Sequence, residues 1–347
     1  MKKLPLKDGF GYLITDRLTR FYLSGADIAE GYILYAANPL YFTDARYFFA
    51  AEKKLENTGF TPVLFHGEED IEAAIKDCGI KELAVDYGTT TVKDFLRYET
   101  FGAKVVDCAD VLRESREIKT EEEIDKIKKA CAIAEKAVSY AFENVRAGIT
   151  ERELCALLEK EMVRLGADGP SFDTIVAFGE NAAVPHHETG DTALKENSVV
   201  LIDTGAKVGF YLSDITRTAF FGVPDKEFTE DYDAVLLANE TAEREIVAGT
   251  DVVFADKIAR DVLKERGLDG FFTHSLGHGV GIEIHESPYL SPKGTGTLKE
   301  NAVFTVEPGV YKNGRYGIRI EDTCLLRNGK TERLFKDSKE LKIIPIK

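Results

Sequence analysis

Residues 199–218, VVLIDTGAKVGFYLSDITRT, read as two runs of β-branched and aromatic residues, and each run holds an aspartate where a core residue belongs. Strands disfavour Asp, and a buried carboxylate needs a hydrogen-bonded partner, a raised pKa or a cation to offset its desolvation. Asp203 and Asp214 therefore constrain the fold more than any other feature. The two runs predict a hairpin whose inner face meets something that compensates negative charge. With the turn centred between Val208 and Gly209, the two aspartates would face each other, their Cβ atoms about 4.5 to 5.5 Å apart.

The pattern recurs in FTVEPGVYKNGRYGIRIEDT, residues 304–323. Asn313-Gly314 is a strong hairpin signal, and a three-residue loop about Gly314 makes Glu307 and Glu321 cross-strand neighbours. Alternation puts Arg319 on the face of Glu321. The six histidines are skewed: only His66 lies in the first third, while His186 and His187 sit in AVPHHETG and His274, His278 and His285 in FTHSLGHGVGIEIHESP. Glycines around His278 leave the backbone free to approach a ligand closely. Two Asp, two Glu and one His form a hard, oxygen-rich donor set. Such a set suits a pair of divalent ions such as Mn²⁺, Co²⁺ or Zn²⁺, whereas structural zinc favours sulfur. Paired ions share bridging carboxylates, which accounts for aspartates inside a core.

An isolated strand Asp is ordinarily an edge or hydrogen-bonded residue, and an isolated glycine-flanked His is ordinarily structural. Two acidic hairpins with clustered histidines are not explained that way. IDTG also fits the Asp-Thr-Gly loop of aspartic proteases, but those need a second such loop and leave Glu307, Glu321 and His278 without a role.

The rest of the chain frames this site. At 347 residues two domains are expected, and a formal charge of −15 argues against a nucleic-acid or anionic-membrane surface. The five cysteines are scattered without CxxC spacing, which fits a reducing cytoplasm. The start, MKKLPLKDGFGYLI, lacks the apolar region of a signal peptide, and no apolar run reaches transmembrane length. RFYLSG, GYILYA, TPVLFH, ELAVDYG and AKVVDCA read as strands. They alternate with helical DARYFFAAEKKLENTG, EDIEAAIKDCG and TTVKDFLRYE, giving an α/β domain. A polar stretch, RESREIKT, precedes capping boxes at Thr120/Glu123 and Thr150/Glu153, each opening an amphipathic helix. Runs of strand, helices over 226–248 and 254–266, and more strands follow. The expected division is an α/β domain over residues 1–115 and an α+β domain over 116–347.

LIDTGAKVGFYLSDITRT, HSLGHGVGIEIHESP, TVEPGVY and GIRIEDT, in that order, resemble the pita-bread metallopeptidases, the family of aminopeptidase P, prolidase and methionine aminopeptidase. The likeness covers residues from about 120 onward. Residues 1–115 are similar to the creatinase-like domain that aminopeptidase P and prolidase carry and minimal methionine aminopeptidases lack. The resemblance implies a pita-bread fold with Asp203, Asp214, His278, Glu307 and Glu321 as metal ligands, Asp214 and Glu321 bridging. It implies catalytic roles for His186 and His285 and substrate contacts for His274, with Tyr311 and Arg319 matching positions that support ligands and substrate. His187 competes with His186, whose spacing to Asp203 fits better. Creatinases and metal-free binding proteins share the fold without this ligand set.

The chemistry so implied is attack on a peptide carbonyl by a hydroxide bridging two ions, Mn²⁺ first among the candidates, with Glu307 shuttling the proton. The substrates implied have proline at the second position, and relatives are commonly homodimers. Prolidases typically carry an arginine after the His-Glu-Xaa-Pro segment to hold a dipeptide's carboxylate, but here Tyr289 follows HESP. A phenol cannot replace a guanidinium fork. The expectation is an Xaa-Pro aminopeptidase, with Xaa-Pro dipeptidase as the alternative.

Overall fold

A computed structural model describes residues 3–346, and the chain divides after Arg116 into two compact units. In the first, β1 (Phe10–Ile14), β2 (Tyr32–Tyr35), β3 (Leu40–Thr43), β4 (Thr61–Leu64), β5 (Glu82–Val85) and β6 (Lys104–Asp107) form one mixed sheet in the order β4-β3-β2-β1-β5-β6. Alternate residues feed two cores: Tyr12, Ile14, Ile33 and Tyr41 point to one face, Leu13, Leu34, Phe42 and Leu83 to the other. Helices α1 (Arg17–Ser24), α2 (Phe48–Lys54), α3 (Glu68–Asp77), α4 (Val92–Tyr98) and α5 (Ala109–Glu117) accompany the strands.

Three local expectations fail in this unit. RFYLSG lies in α1 rather than in a strand, because Asp16 caps the helix by accepting the Thr19 N–H at 2.7 Å and Gly25, at φ 70°, ends it. Its buried residues Thr19, Arg20, Leu23 and Ser24 fall on one helical face. The polar stretch RESREIKT is largely the end of α5, an amphipathic helix whose Leu112 is buried. Only Phe48–Lys54 of the long DARYFFAAEKKLENTG segment is helical.

In the second unit, α6 (Glu121–Glu143) and α7 (Glu151–Arg164) open with both predicted capping boxes. They are followed by β7 (Gly169–Pro170), β8 (Ile175–Phe178), β9 (Ser198–Thr204), β10 (Ala206–Val208), β11 (Tyr211–Leu212) and β12 (Ile215–Phe221). The order then repeats: α8 (Lys226–Glu245) and α9 (Val252–Glu265) precede β13 (Gly277–Gly279), β14 (Glu286–Leu290), β15 (Val303–Val306), β16 (Gly309–Lys312), β17 (Tyr316–Arg319) and β18 (Glu321–Arg327). β19 (Lys330–Arg333) and β20 (Lys342–Ile344) follow. The main sheet runs β14-β13-β15-β18-β12-β9-β8, with β19 beside β18 and β20 beside β12. The halves meet at the antiparallel β12–β18 pair, where Thr216 lies opposite Glu321. A core of Leu201, Phe304 and Val306 with Val235, Ala238 and Ile258 joins the sheet to α8 and α9. Among the described residues no helix is long and apolar enough to cross a membrane.

The second hairpin has the expected register: Tyr311 pairs with Gly317 and Val306 with Asp322, which sets Glu307 opposite Glu321. The first is displaced by two residues. Asp203 pairs with Thr216, and Val208 with Tyr211 around a turn of Gly209 and Phe210, both at positive φ. A two-residue displacement preserves the face, so Asp214 becomes a diagonal neighbour of Asp203. Gly205 permits the crossing, since a Cβ there would fall 1.7 Å from the Ser213 carbonyl oxygen.

Candidate active site

Asp203 leaves the end of β9, Asp214 precedes β12, Glu307 follows β15, Glu321 opens β18 and His278 lies within β13. All five line a cavity of about 330 Å³, together with His186, His274, His285 and Arg319. Phe172, Ile175 and Ile284 give it an apolar wall, and Tyr289 stands at its edge.

The acceptors converge. Ligand atoms of Asp214, His278 and Glu321 lie within 4.8 Å of one another. His278 Nε2 is 3.6 Å from an Asp214 oxygen and 3.4 Å from Glu307 Oε1. Its Nδ1 lies 3.1 Å from the Gly279 carbonyl, which can only accept, so Nδ1 carries the hydrogen and Nε2 offers a lone pair to two carboxylates. Lone pairs facing one another at that range call for a cation. Asp203 Oδ1 and Asp214 Oδ1 are buried without a hydrogen-bond partner, as an oxygen reserved for an ion would be. Hard oxygens plus one imidazole fit divalent Mn, Co or Zn, so the residues present suit the group.

Electrostatics agree. Burial, reinforced by Glu321, Asp203 and Glu307, pushes the Asp214 carboxyl well above its ordinary value, and burial with Glu307 and Asp203 does the same to Glu321. Burial lifts Glu307 to about 8, with Asp203 adding and Arg319 opposing. The imidazoles move the other way. Burial, with the His285 imidazole alongside, lowers His278 to about 4, burial with the Arg319 guanidinium lowers His274 to about 3, and burial lowers His285, leaving all three neutral near pH 7.

A ring of side chains aims the ligands. Arg319 donates from Nη2 to Asp203 at 2.5 Å, from Nη1 to the Tyr311 hydroxyl at 2.7 Å and from Nε to Thr216 Oγ1 at 3.0 Å. The Thr216 hydroxyl in turn donates to Glu321 Oε2 at 2.6 Å. Thr305 accepts the His278 N–H and donates to Glu307, and Thr323 brackets the backbone of Asp214. Tyr311 stands behind the cavity lining, bonded to Arg319 and to His274 Nε2 at 2.8 Å. The His pair separates: His186 lines the cavity, while His187 Nε2 lies 2.9 Å from buried Glu151. His285 packs edge-on against His278, ring centres 4.4 Å apart. Sequence reasoning missed the threonines and Glu151. Thr216 was within reach, lying two residues from Asp214 and so on its face.

Comparison with known proteins follows the same lines. The description "Metallopeptidase family M24" matches residues 125–328, and "Creatinase/Prolidase N-terminal domain" matches residues 8–118. The Xaa-Pro dipeptidase of Pyrococcus furiosus is 38% identical, with 92% of each chain covered. Among solved structures, an Xaa-Pro dipeptidase from Bacillus anthracis superposes with a TM-score of 0.93 at 33% identity, covering 96% of this chain and 95% of that one. An X-Pro aminopeptidase from Thermotoga maritima gives 0.90 at 35% identity, with 96% and 95% covered. By sequence, structure and donor set, the chain belongs to metallopeptidase family M24, with a creatinase/prolidase-type domain ahead of its catalytic domain.

Proposed function

We propose that this protein is an Xaa-Pro dipeptidase that hydrolyses the bond between a free N-terminal residue and proline. The observation that carries the reading is the His278 lone pair facing the Asp214 and Glu307 carboxylates inside a cavity of about 330 Å³. The named relatives favour dipeptidase over aminopeptidase, the reverse of the order drawn from Tyr289.

Asp203, Asp214, His278, Glu307 and Glu321 would hold two divalent ions, manganese first, because five donors with two acidic hairpins exceed what one tetrahedral ion uses. Bound there, the ions supply Lewis acidity toward the scissile carbonyl and a nucleophilic water at neutral pH. Glu307 takes the proton from the nucleophile and delivers it to the proline nitrogen, a task open to a carboxylate that lines the cavity beside the ion site. His186 and His285 donate to the carbonyl oxygen as negative charge develops on it. The His285 imidazole, kept neutral by burial, does so without repelling the ions. Phe172, Ile175 and Ile284 offer the proline ring an apolar wall and exclude water around the reacting bond. His274, with Tyr311 and Arg319 behind it, orients the substrate. A homodimer in a reducing cytoplasm completes the reading, the compartment being supported by five cysteines that form no disulfide.

Tyr289 favours one second reading, an aminopeptidase that accepts chains continuing past proline, because the phenol supplies no fork for a dipeptide's carboxylate. The test compares kcat/KM for an Xaa-Pro dipeptide and the matching Xaa-Pro-Xaa tripeptide on enzyme loaded with Mn²⁺, Co²⁺ or Zn²⁺. The dipeptide is expected to be the better substrate. The opposite ranking makes the enzyme an aminopeptidase, and cleavage of neither rejects both.

A further inference from the structure

Glu151 is fully buried, and its two oxygens receive four hydrogen bonds from one stretch of chain. Oε1 accepts the Phe178 N–H at 2.9 Å and the Asn181 side-chain amide at 2.8 Å. Oε2 accepts the Gly190 N–H at 3.0 Å and faces His187 Nε2 at 2.9 Å. Together these bonds fill the acceptor capacity of a carboxylate. They also bracket residues 178–190 at both ends, and that stretch presents Pro185 and His186 to the cavity. The His187 N–H closes the turn between them onto the Val184 carbonyl at 3.1 Å.

Glu151 is itself well anchored. It is the first residue of α7, where the Thr150/Glu153 capping box fixes the backbone and the helix dipole favours a negative side chain. Its own N–H bonds to Thr192, and the next residue's N–H bonds to Gly190. A rigid helix start thus grips the flexible-looking sequence AVPHHETG at several points.

We propose that Glu151 and His187 are positioning residues: they fix the segment that carries His186, so that His186 meets the reacting carbonyl at a set distance. The adjacent histidines divide the work, one facing the cavity and the other locking the loop. A carboxylate cannot donate, so His187 must carry its hydrogen on Nε2, and any side chain offering an N–H at that point should serve. This inference rests on the catalytic role given to His186 above, and the experiment separates the two.

The experiment is a double-mutant cycle on metal-loaded, full-length enzyme, with metal content and melting temperature recorded for each variant. H187L, which has no donor, is expected to lower kcat about tenfold or more with KM and bound metal little changed, and to lower the melting temperature because buried Glu151 loses one of its four donors. H187Q, whose amide can reach Glu151, is expected to recover most of that loss. In the H186A background, adding H187L should lower kcat no further, because His187 acts only through His186. Additive losses in the double variant overturn the inference, as does wild-type kcat in H187L or a fall in kcat that follows lost metal. H186A with undiminished kcat overturns the role of His186 itself, and with it the need to position that residue.

Discussion

Single residues carry the readable part of this chemistry and also the part that stays hidden. Asp203, Asp214, Glu307 and Glu321 stand out because carboxylates are foreign to apolar strands. Thr216, Thr305 and Thr323 do not, since threonine is at home in a strand whether or not its hydroxyl has work to do. Yet Thr216 relays the Arg319 guanidinium to Glu321. Thr216→Val keeps the shape and removes the relay, so metal affinity should fall about 10- to 100-fold with the fold intact, measured by calorimetric titration of the apo protein with Mn²⁺. A second residue-scale test lies away from the site. Burial and the Asp322 charge push Glu243 from 4.5 up to about 7, against the pull of Lys339. A carboxyl raised in the folded state contributes stability that is complete below about 4.5 and lost as pH rises through about 7. Glu243→Gln removes that dependence. The melting temperature of wild type relative to the variant should therefore decline from pH 4.5 to pH 8, and a constant difference would reject the assignment.

At the scale of elements, legibility followed the turn chemistry. Asn313-Gly314 supplies the positive φ that a tight loop requires, with Gly314 at φ 71°, and the register of that hairpin was readable. Gly209-Phe210 hides its turn, because phenylalanine at φ 73° is not a turn residue by type, and the register came out two residues away. The face survived the error, and so did the pairing of acidic side chains. The strand expected for RFYLSG fails for a related reason: its apolar residues sit in a short run, where helix and strand look alike, and only the Asp16 and Gly25 caps decide. Caps read well elsewhere. In α6 the Thr120 side chain accepts the Glu123 N–H while Glu123 returns to the Thr120 N–H at 2.6 Å. Thr120→Ala should cost about 1 kcal/mol of stability, measured by urea denaturation at pH 7, and an unchanged midpoint would show that the long helix needs no cap.

For the whole molecule, the acidic cluster around His278 costs stability, and on the function proposed above ions would offset that cost. Four carboxylates and a neutral imidazole are held in one buried place, and burial with mutual repulsion raises the pKa of three of the acids. Removing divalent ions with a chelator should abolish hydrolysis and lower the melting temperature, and Mn²⁺ should restore both. At a free ion concentration a thousand times the Kd, the stabilisation is about 4 kcal/mol. Equal melting curves with and without metal would mean that the cluster is not the ion site. The repeated order of two helices and then paired strands spreads the donors over both halves, from Asp203 to Glu321, and joins them at the β12–β18 pair. On the ribosome, therefore, a growing chain holds an incomplete donor set for the time it takes to add more than a hundred residues. The first aspartates emerge with nothing to share an ion with. On the function proposed above, peptide hydrolysis would switch on only when Glu321 has been made and docked, so synthesis itself would keep the nascent enzyme inert.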